Sequence, residues 1–275
     1  MINEILLFSR YKGRKKAGIG YFCSIRKTNL ISMILTVLGC GDAFASGGQL
    51  NTCFHLQHNH IQVLLDCGAT SLVGMRREGV LSTEIDYIIL THFHGDHFGG
   101  VPFILLDALV NKRTKPLTII SPPGGKQRIA QLTECLYSGI FQQIASTFFI
   151  IYKEFGGDIV TEHFTLIATP VLHSPDSLPY AVRLQWDNKV VSFSGDTEWI
   201  DALLPVSDKA DLFICECNYF DKEGPAHISY HQLVPQLPRL NAHKIVLTHL
   251  GESMLAQKSS LQLLCLEDGM KLEII

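Results

Sequence analysis

Thr91-His92-Phe93-His94-Gly95-Asp96-His97-Phe98-Gly99-Gly100 is the stretch that decides the fold. It follows an apolar run, Ile85–Leu90, that reads as a buried strand, and it leads into Phe98–Asn111, which reads as an apolar helix. The three imidazoles would repel one another if protonated, and the whole set would waste its burial if unpaired. Neutral imidazole nitrogens and a carboxylate are donors that a zinc-like cation takes. His92 and His94, two apart, can face one ion, while Asp96 and His97 turn towards a second. The bland alternative is a solvated His-rich loop in which Asp96 merely caps the helix. The buried strand just before it argues against that.

Outward from this stretch, the chain from Met33 onward interleaves strands and helices. Strands are expected over Ile34–Leu38, Thr52–Leu56, Ile61–Leu65, Ile85–Leu90, Leu117–Ile120, Phe148–Ile151, Phe164–Pro170, Tyr180–Gln185, Val190–Ser194, Asp211–Glu216 and Lys244–Thr248. Helices are expected over Leu72–Glu78, Phe98–Asn111, Lys126–Tyr137, Trp199–Leu204 and Ser229–Leu240. The turn Gln57–His60 closes a hairpin, in which His58 and His60 read as a solvated face with no carboxylate nearby. Gly47–Gly48 reads as a flexible loop, since nothing after it resembles a phosphate-binding helix start. Many strands with helices between them suggest a layered α/β fold with two sheets. No composition break divides residues 33–275, so one domain is expected there.

The His92–His97 motif resembles the hallmark His-x-His-x-Asp-His of the metallo-β-lactamase superfamily. That resemblance implies an α/β four-layer αββα sandwich and three further ligands, each at the end of a strand. His173 follows Phe164–Leu172 and would complete the first site. Asp196, in Ser194-Gly195-Asp196-Thr197, would bridge both ions. His249, in Leu247-Thr248-His249-Leu250-Gly251, would serve the second. Singly, each could be structural, as a helix cap or a partly buried histidine. Together they complete a set of seven: His92, His94, Asp96, His97, His173, Asp196 and His249. Asp66, in Leu64-Leu65-Asp66-Cys67-Gly68, matches the family's first motif, where it steadies the ligand loops by hydrogen bonding. Gly39, Gly41 and Gly68 are expected to let the backbone turn sharply near the site.

The resemblance narrows to the ribonuclease Z-like branch. Ile34-Leu35-Thr36-Val37-Leu38-Gly39 is similar to its first strand, and Gly99-Gly100-Val101-Pro102 to the sequence after its histidine motif. Cys215-Glu216-Cys217-Asn218-Tyr219-Phe220 and His227-Ile228-Ser229 stand where that branch has its Glu and His proton-transfer pair. The chemistry agrees, because a departing alkoxide needs a proton and a carboxylate-held histidine is a good general acid near neutral pH. The structural alternative pairs Glu216 inside the fold and leaves His227 on an exposed loop before a helix capped by Ser229. Only 23 positions separate His173 from Asp196. That is too few for the long arm which tRNA-processing members commonly place there, and it argues against tRNA as substrate.

Composition sets the remaining limits. The chain has 275 residues, 47% hydrophobic and 18% charged, which suits a large core and excludes disorder. Its apolar stretches, such as Val101–Leu106, end well before the ~18 residues of a membrane span. Residues 1–32 carry seven basic side chains and one acid, and residues 33–275 carry 16 basic and 25 acidic ones. An acidic body is a poor general binder of polyanions. Residues 1–32 lack periodicity and are expected to be a basic, disordered extension or an early-assigned start ahead of Met33, with a targeting peptide as the alternative. Eight cysteines without a secretory signal read as buried thiols in the reducing cytoplasm.

The reading that follows is a hydrolase with two divalent metal ions, zinc first, manganese or iron as alternatives. Its metal-bridging hydroxide would attack a small phosphodiester or short nucleic acid, with Asp96 orienting the nucleophile and His227, backed by Glu216, as acid. The resemblance implies a homodimer. Hydrolysis of a thioester, lactone or amide would use the same hydroxide. A di-iron redox protein would have an acidic ligand at His94, and a binding protein would have lost ligands.

Overall fold

Alternation of side chains explains the layering. In the strand Ile61–Leu65, Val63 and Leu65 join an apolar layer with Val182, Leu184, Val191, Ile214 and Val246. Leu64, pointing the other way, joins Ile88, Ile104, Leu105 and Ile129. A strand buried on both faces belongs to an inner sheet with a layer on each side. A third apolar layer gathers Phe213, Cys215 and Leu247 with Leu203, Leu233 and Met254. Three apolar layers separate four layers of structure, helix, sheet, sheet and helix, so the fold is the αββα sandwich.

The structure is a computed structural model and describes residues 32–221 and 224–275. The expectation for residues 1–32 therefore falls almost wholly outside the described residues. Fourteen strands are described: β1 (Met33–Gly39), β2 (Cys53–His58), β3 (Ile61–Leu65), β4 (Tyr87–Ile89), β5 (Leu117–Ser121), β6 (Ile150–Glu154), β7 (Ile159–Val160), β8 (Thr165–Pro170), β9 (Tyr180–Trp186), β10 (Lys189–Phe193), β11 (Leu212–Glu216), β12 (Ile245–Thr248), β13 (Leu264–Cys265) and β14 (Lys271–Ile274). One sheet has the order β14-β1-β2-β3-β4-β5-β6 and the other β13-β12-β11-β10-β9-β8-β7. In each, antiparallel pairing gives way to parallel pairing, at β3–β4 in the first and β10–β11 in the second. Ligands of such sheets gather outside the carboxyl ends of the strands.

Several elements differ from the sequence reading for physical reasons. β7 and β13 are two residues long, too short to carry a period. β14 and the helix Ile140–Thr147 were also not anticipated. The run Phe98–Asn111 opens as two helices, Gly95–Phe98 and Val101–Val110, the second with Pro102 in its first turn. Ser229–Leu240 is an α-turn, Tyr230–Leu233, continued as a 3-10 helix over Val234–Arg239, where Pro235 and Pro238 lack the N–H an α-helix needs. The helix expected over Trp199–Leu204 forms at Leu203–Ser207 instead. His58 is a correction: it is buried, its Nε2 lies 2.8 Å from the Asp187 carboxylate, and its ring meets Trp186 edge-on. His60 is exposed as expected. No helix among the described residues is long and apolar enough to cross a membrane. The seven described cysteines are all free, and only Cys135 is exposed.

Candidate metal centre

Asp66, just past β3, organises the loop that follows β4. Its backbone is left-handed, φ 57°, a conformation that costs a non-glycine residue about 1–2 kcal/mol and persists only where its surroundings impose it. Its carboxylate accepts from the Thr91 N–H and the Thr91 hydroxyl, both at 2.7 Å, and from His97 Nδ1 at 2.6 Å. Because the Thr91 hydroxyl proton is given to Asp66, Thr91 Oγ1 accepts from His92 Nδ1 at 3.0 Å. His173 Nδ1 donates to the carbonyl of Ala226 at 2.7 Å. Each of these bonds fixes the proton on Nδ1 and leaves Nε2 as a lone pair for a ligand. Gly68 matters by proximity rather than by turning. A Cβ there would overlap the Asp96 carbonyl, and Gly39, Gly41 and Gly68 are all absent from the positive-φ glycines.

Four groups of donors result among the described residues, and two of them share Asp196. His92, His94, His173 and Asp196 form one; Asp96, His97, Asp196 and His249 form the other; in each, the donor atoms lie within 4.8 Å of one another. Asp196 belongs to both. Its Oδ2 is 3.2 Å from His97 Nε2, 3.3 Å from His249 Nε2, 3.7 Å from His92 Nε2 and 3.9 Å from His173 Nε2. Asp96 Oδ2 lies 3.3 Å from both His97 Nε2 and His249 Nε2. His92 Nε2, His97 Nε2 and Asp196 Oδ1 are buried without a hydrogen-bond partner. Converging orphan donors of this type fit divalent cations, whose binding would satisfy them.

Charge is arranged to match. Burial pushes His92 well below the ordinary histidine value, with His97 adding to it, and burial also lowers His94 and His173. Burial opposes ionisation of Asp96 and Asp196, yet the neighbouring imidazoles, His97 and His249 foremost, hold both far below the usual carboxylate range. His97 runs the other way. Burial disfavours its charge, but Asp196, Asp96 and Asp66 hold its proton well above the ordinary value. His249 is raised as well, burial opposing its charge and Asp196 and Asp96 favouring it. Neutral imidazoles and ionised carboxylates are the ligating forms, and the protons of His97 and His249 are the ones cations would displace.

Beside the donors stands a second pair. Glu216, the last residue of β11, is wholly buried, and His227 Nδ1 lies 2.9 Å from its Oε1. The same oxygen accepts from the Thr197 N–H at 2.8 Å. Burial raises Glu216, and although burial also opposes charge on His227, the Glu216 carboxylate pushes the imidazole up to about 9. The His227 ring stacks on His249 at 5.1 Å and lies 4.9 Å from His173.

All residues singled out from the sequence as ligands or proton carriers thus come together at one edge of the sandwich. Sequence reasoning missed the supporting atoms. Thr91 lies inside the deciding stretch, and Asn218, whose amide donates to the His249 carbonyl at 3.1 Å, lies inside the segment around Glu216. Nothing in the sequence marked Glu198 or the Ala226 peptide. A cavity of about 460 Å³, lined by residues such as Tyr87, Lys115 and His163, lies elsewhere and includes none of the candidate residues.

The family model for the anti-Pycsar protein Apyc1 matches residues 33–266. The chain is 25% identical over 242 residues to the ribonuclease Z of Clostridium acetobutylicum, covering 69% of this chain and 76% of that one. It is 25% identical over 227 residues to the probable metallo-hydrolase YhfI of Bacillus subtilis, covering 79% and 87%. The solved structure of the short form of human tRNase Z superposes with a TM-score of 0.73 at 20% identity, over 88% of this chain and 99% of that one. That likeness is one of fold.

Proposed function

The chain belongs to the family of the anti-Pycsar protein Apyc1 and is a metal-dependent hydrolase of the metallo-β-lactamase fold, and from that premise we propose that it is a dinuclear phosphodiesterase acting on a small phosphodiester. The observation that carries this reading is the Glu216–His227 pair, 2.9 Å apart and stacked against His249. An alkoxide leaving phosphorus needs a proton at departure, and a thiolate leaving a thioester does not. At neutral pH a histidine raised to about 9 arrives protonated. With Nδ1 engaged by Glu216, Nε2 is the atom that hands the proton over.

Two divalent cations, zinc the first choice for His and Asp donors with manganese or iron as alternatives, would supply a hydroxide nucleophile at neutral pH and offset charge on the phosphoryl oxygens. His92, His94, His173 and Asp196 would hold one, and Asp96, His97, Asp196 and His249 the other. Asp96, its Oδ2 shared between His97 and His249, orients the nucleophile. The substrate is small for two reasons. The link from His173 to Asp196 is spent on β9, β10 and short connections, and the body is acidic. Relatives named ribonuclease Z support phosphodiester chemistry, and a homodimer is the assembly we propose.

The test is turnover of a 3′,5′-cyclic nucleotide and of bis(p-nitrophenyl) phosphate by zinc- and manganese-loaded protein. Asp96→Ala is expected to abolish both. No turnover of either by protein holding two metals per chain would sink the phosphodiester assignment and turn attention to thioesters and lactones.

A further inference from the structure

Ala226 stands where the two parts of the candidate centre meet. Its φ of 76° lies in the left-handed region, which an alanine occupies only when its neighbours impose it. Two hydrogen bonds do so. The Ala226 N–H donates to Oε1 of Glu198 at 2.7 Å, and the Ala226 carbonyl accepts from His173 Nδ1, also at 2.7 Å. Glu198 is itself anchored. Its N–H donates to the Leu172 carbonyl at 2.7 Å, and its carbonyl accepts from the Thr197 hydroxyl at 2.7 Å. Thr197 in turn donates its N–H to Glu216. One short network therefore joins the segments carrying His173, Asp196, Glu216 and His227. Glu198 belongs to none of the metal-donor groups.

We propose that Glu198 is the positioning residue for the proton donor: by accepting from the Ala226 N–H, its carboxylate holds residue 226 left-handed and so sets His227 between Glu216 and the candidate metal-binding histidines. The inference rests on the reading of His227 as general acid. What Glu198 supplies is an acceptor at a fixed reach. A glutamine, whose amide oxygen accepts the same bond, can take its place. An alanine cannot, and an aspartate falls short by one methylene. Without the bond, residue 226 returns to the ordinary region and carries His227 with it.

The experiment compares two leaving groups. A 3′,5′-cyclic nucleotide releases an alkoxide that must be protonated, and bis(p-nitrophenyl) phosphate releases a nitrophenolate that need not be. Values of kcat on both, with metal content per chain, are measured for Glu198→Ala, Glu198→Asp, Glu198→Gln and His227→Ala. With metal at saturating concentration, Glu198→Ala is expected to lose ~10–100-fold on the cyclic nucleotide, part of the 10²–10⁴ a general acid contributes, with little change on the nitrophenyl ester. Because the Ala226 carbonyl also orients His173, metal affinity is expected to fall, and both metals must be restored before the comparison. Glu198→Gln is expected to stay near the parent. Glu198→Asp carries the same expectation as alanine and decides the matter should the alanine variant fail to fold. Equal losses on both substrates with both metals bound, a cyclic-nucleotide loss that excess metal fully restores, or no loss at all would overturn the proposal. His227→Ala separates the two readings. If it lacks the leaving-group selectivity, the general-acid assignment fails; if it shows selectivity and the Glu198 variants do not, only the positioning role fails.

Discussion

The two sheets follow one plan but furnish the candidate centre in opposite ways. The first gives four donors from a single loop after β4: His92, His94, Asp96 and His97. The second gives one donor after each of β8, β10 and β12, and Glu216 from the end of β11. The loop half is encoded locally, and the one carboxylate of Asp66 supports it through Thr91 and His97. The scattered half depends on register. Phe193 pairs with Ile214 and Glu216 with Thr248, and a slip of one residue would turn these strand ends away from each other. Asp196 is where the halves meet, since its Oδ2 faces imidazoles from both.

The sharpest break of this comparison is Asp196→Ala. It removes the one donor common to both groups, so metal content should fall at both positions. Turnover should drop by ~10³-fold or more, the several kcal/mol that metal ions supply to a phosphoryl transition state. His94→Ala should cost only one metal, because His94 belongs to one group and is half-exposed. Metal analysis per chain checks both. Loss of a single metal in Asp196→Ala would mean that the halves are not joined there.

The next largest effect is a pH limb. A histidine held at about 9 by a neighbouring carboxylate is protonated below that pH and loses its proton above it. Turnover of an alkoxide-leaving substrate should therefore fall roughly tenfold per pH unit above about 9, while nitrophenyl ester turnover should not share that limb. Glu216→Gln removes the charge that raises His227, so the limb should move down towards the ordinary histidine value of about 6.5. A limb that stays in place would detach Glu216 from the proton chemistry.

The same contrast explains what could be read from the sequence. Four chemically unusual residues within six positions announce themselves by composition, whatever the fold around them. His173, Asp196 and His249 are single polar residues at strand ends. Each has an ordinary structural alternative, and only the motif-level resemblance joined them. The alternation that defines β1 to β3 was legible because those strands are long, whereas β7 and β13 are too short to show a period. His58 was misread because its partner, Asp187, lies 129 residues away in the sequence, and no local pattern carries such a contact. Glu198 and Ala226 were invisible for a related reason. Glu198 accepts from a backbone N–H 28 residues away and Ala226 is distinguished by its backbone conformation, and no local sequence pattern marks either feature.

Asp66→Asn tests the local support of the loop half. Its amide nitrogen would face an atom that now donates to the carboxylate, and His97 would have to accept at Nδ1 and move its proton to Nε2. That places a hydrogen where a lone pair is needed. Metal affinity at the second group should fall about 10–100-fold, as for other residues that orient ligands. Competition with a chelator reads this directly. Equal losses at both groups would show that Asp66 steadies the whole loop rather than His97 in particular.

The smallest effect isolates the loop that carries His227. That loop is held at one end by Glu198 through Ala226 and at the other by a capping box. Gln232 N–H donates to Ser229 Oγ at 3.3 Å, and Ser229 N–H donates to the Gln232 side chain at 3.2 Å. Ser229→Ala removes the first of these bonds, at a cost of about 1 kcal/mol for a lost N-cap. In a protein of this size that lowers Tm by roughly 2–4 °C. If the Glu198 end sets His227, kcat on an alkoxide-leaving substrate should not change although Tm falls. A leaving-group-selective loss in Ser229→Ala would instead assign the placement of His227 to the helix that follows it, and the scattered half would then depend on local capping as much as on register.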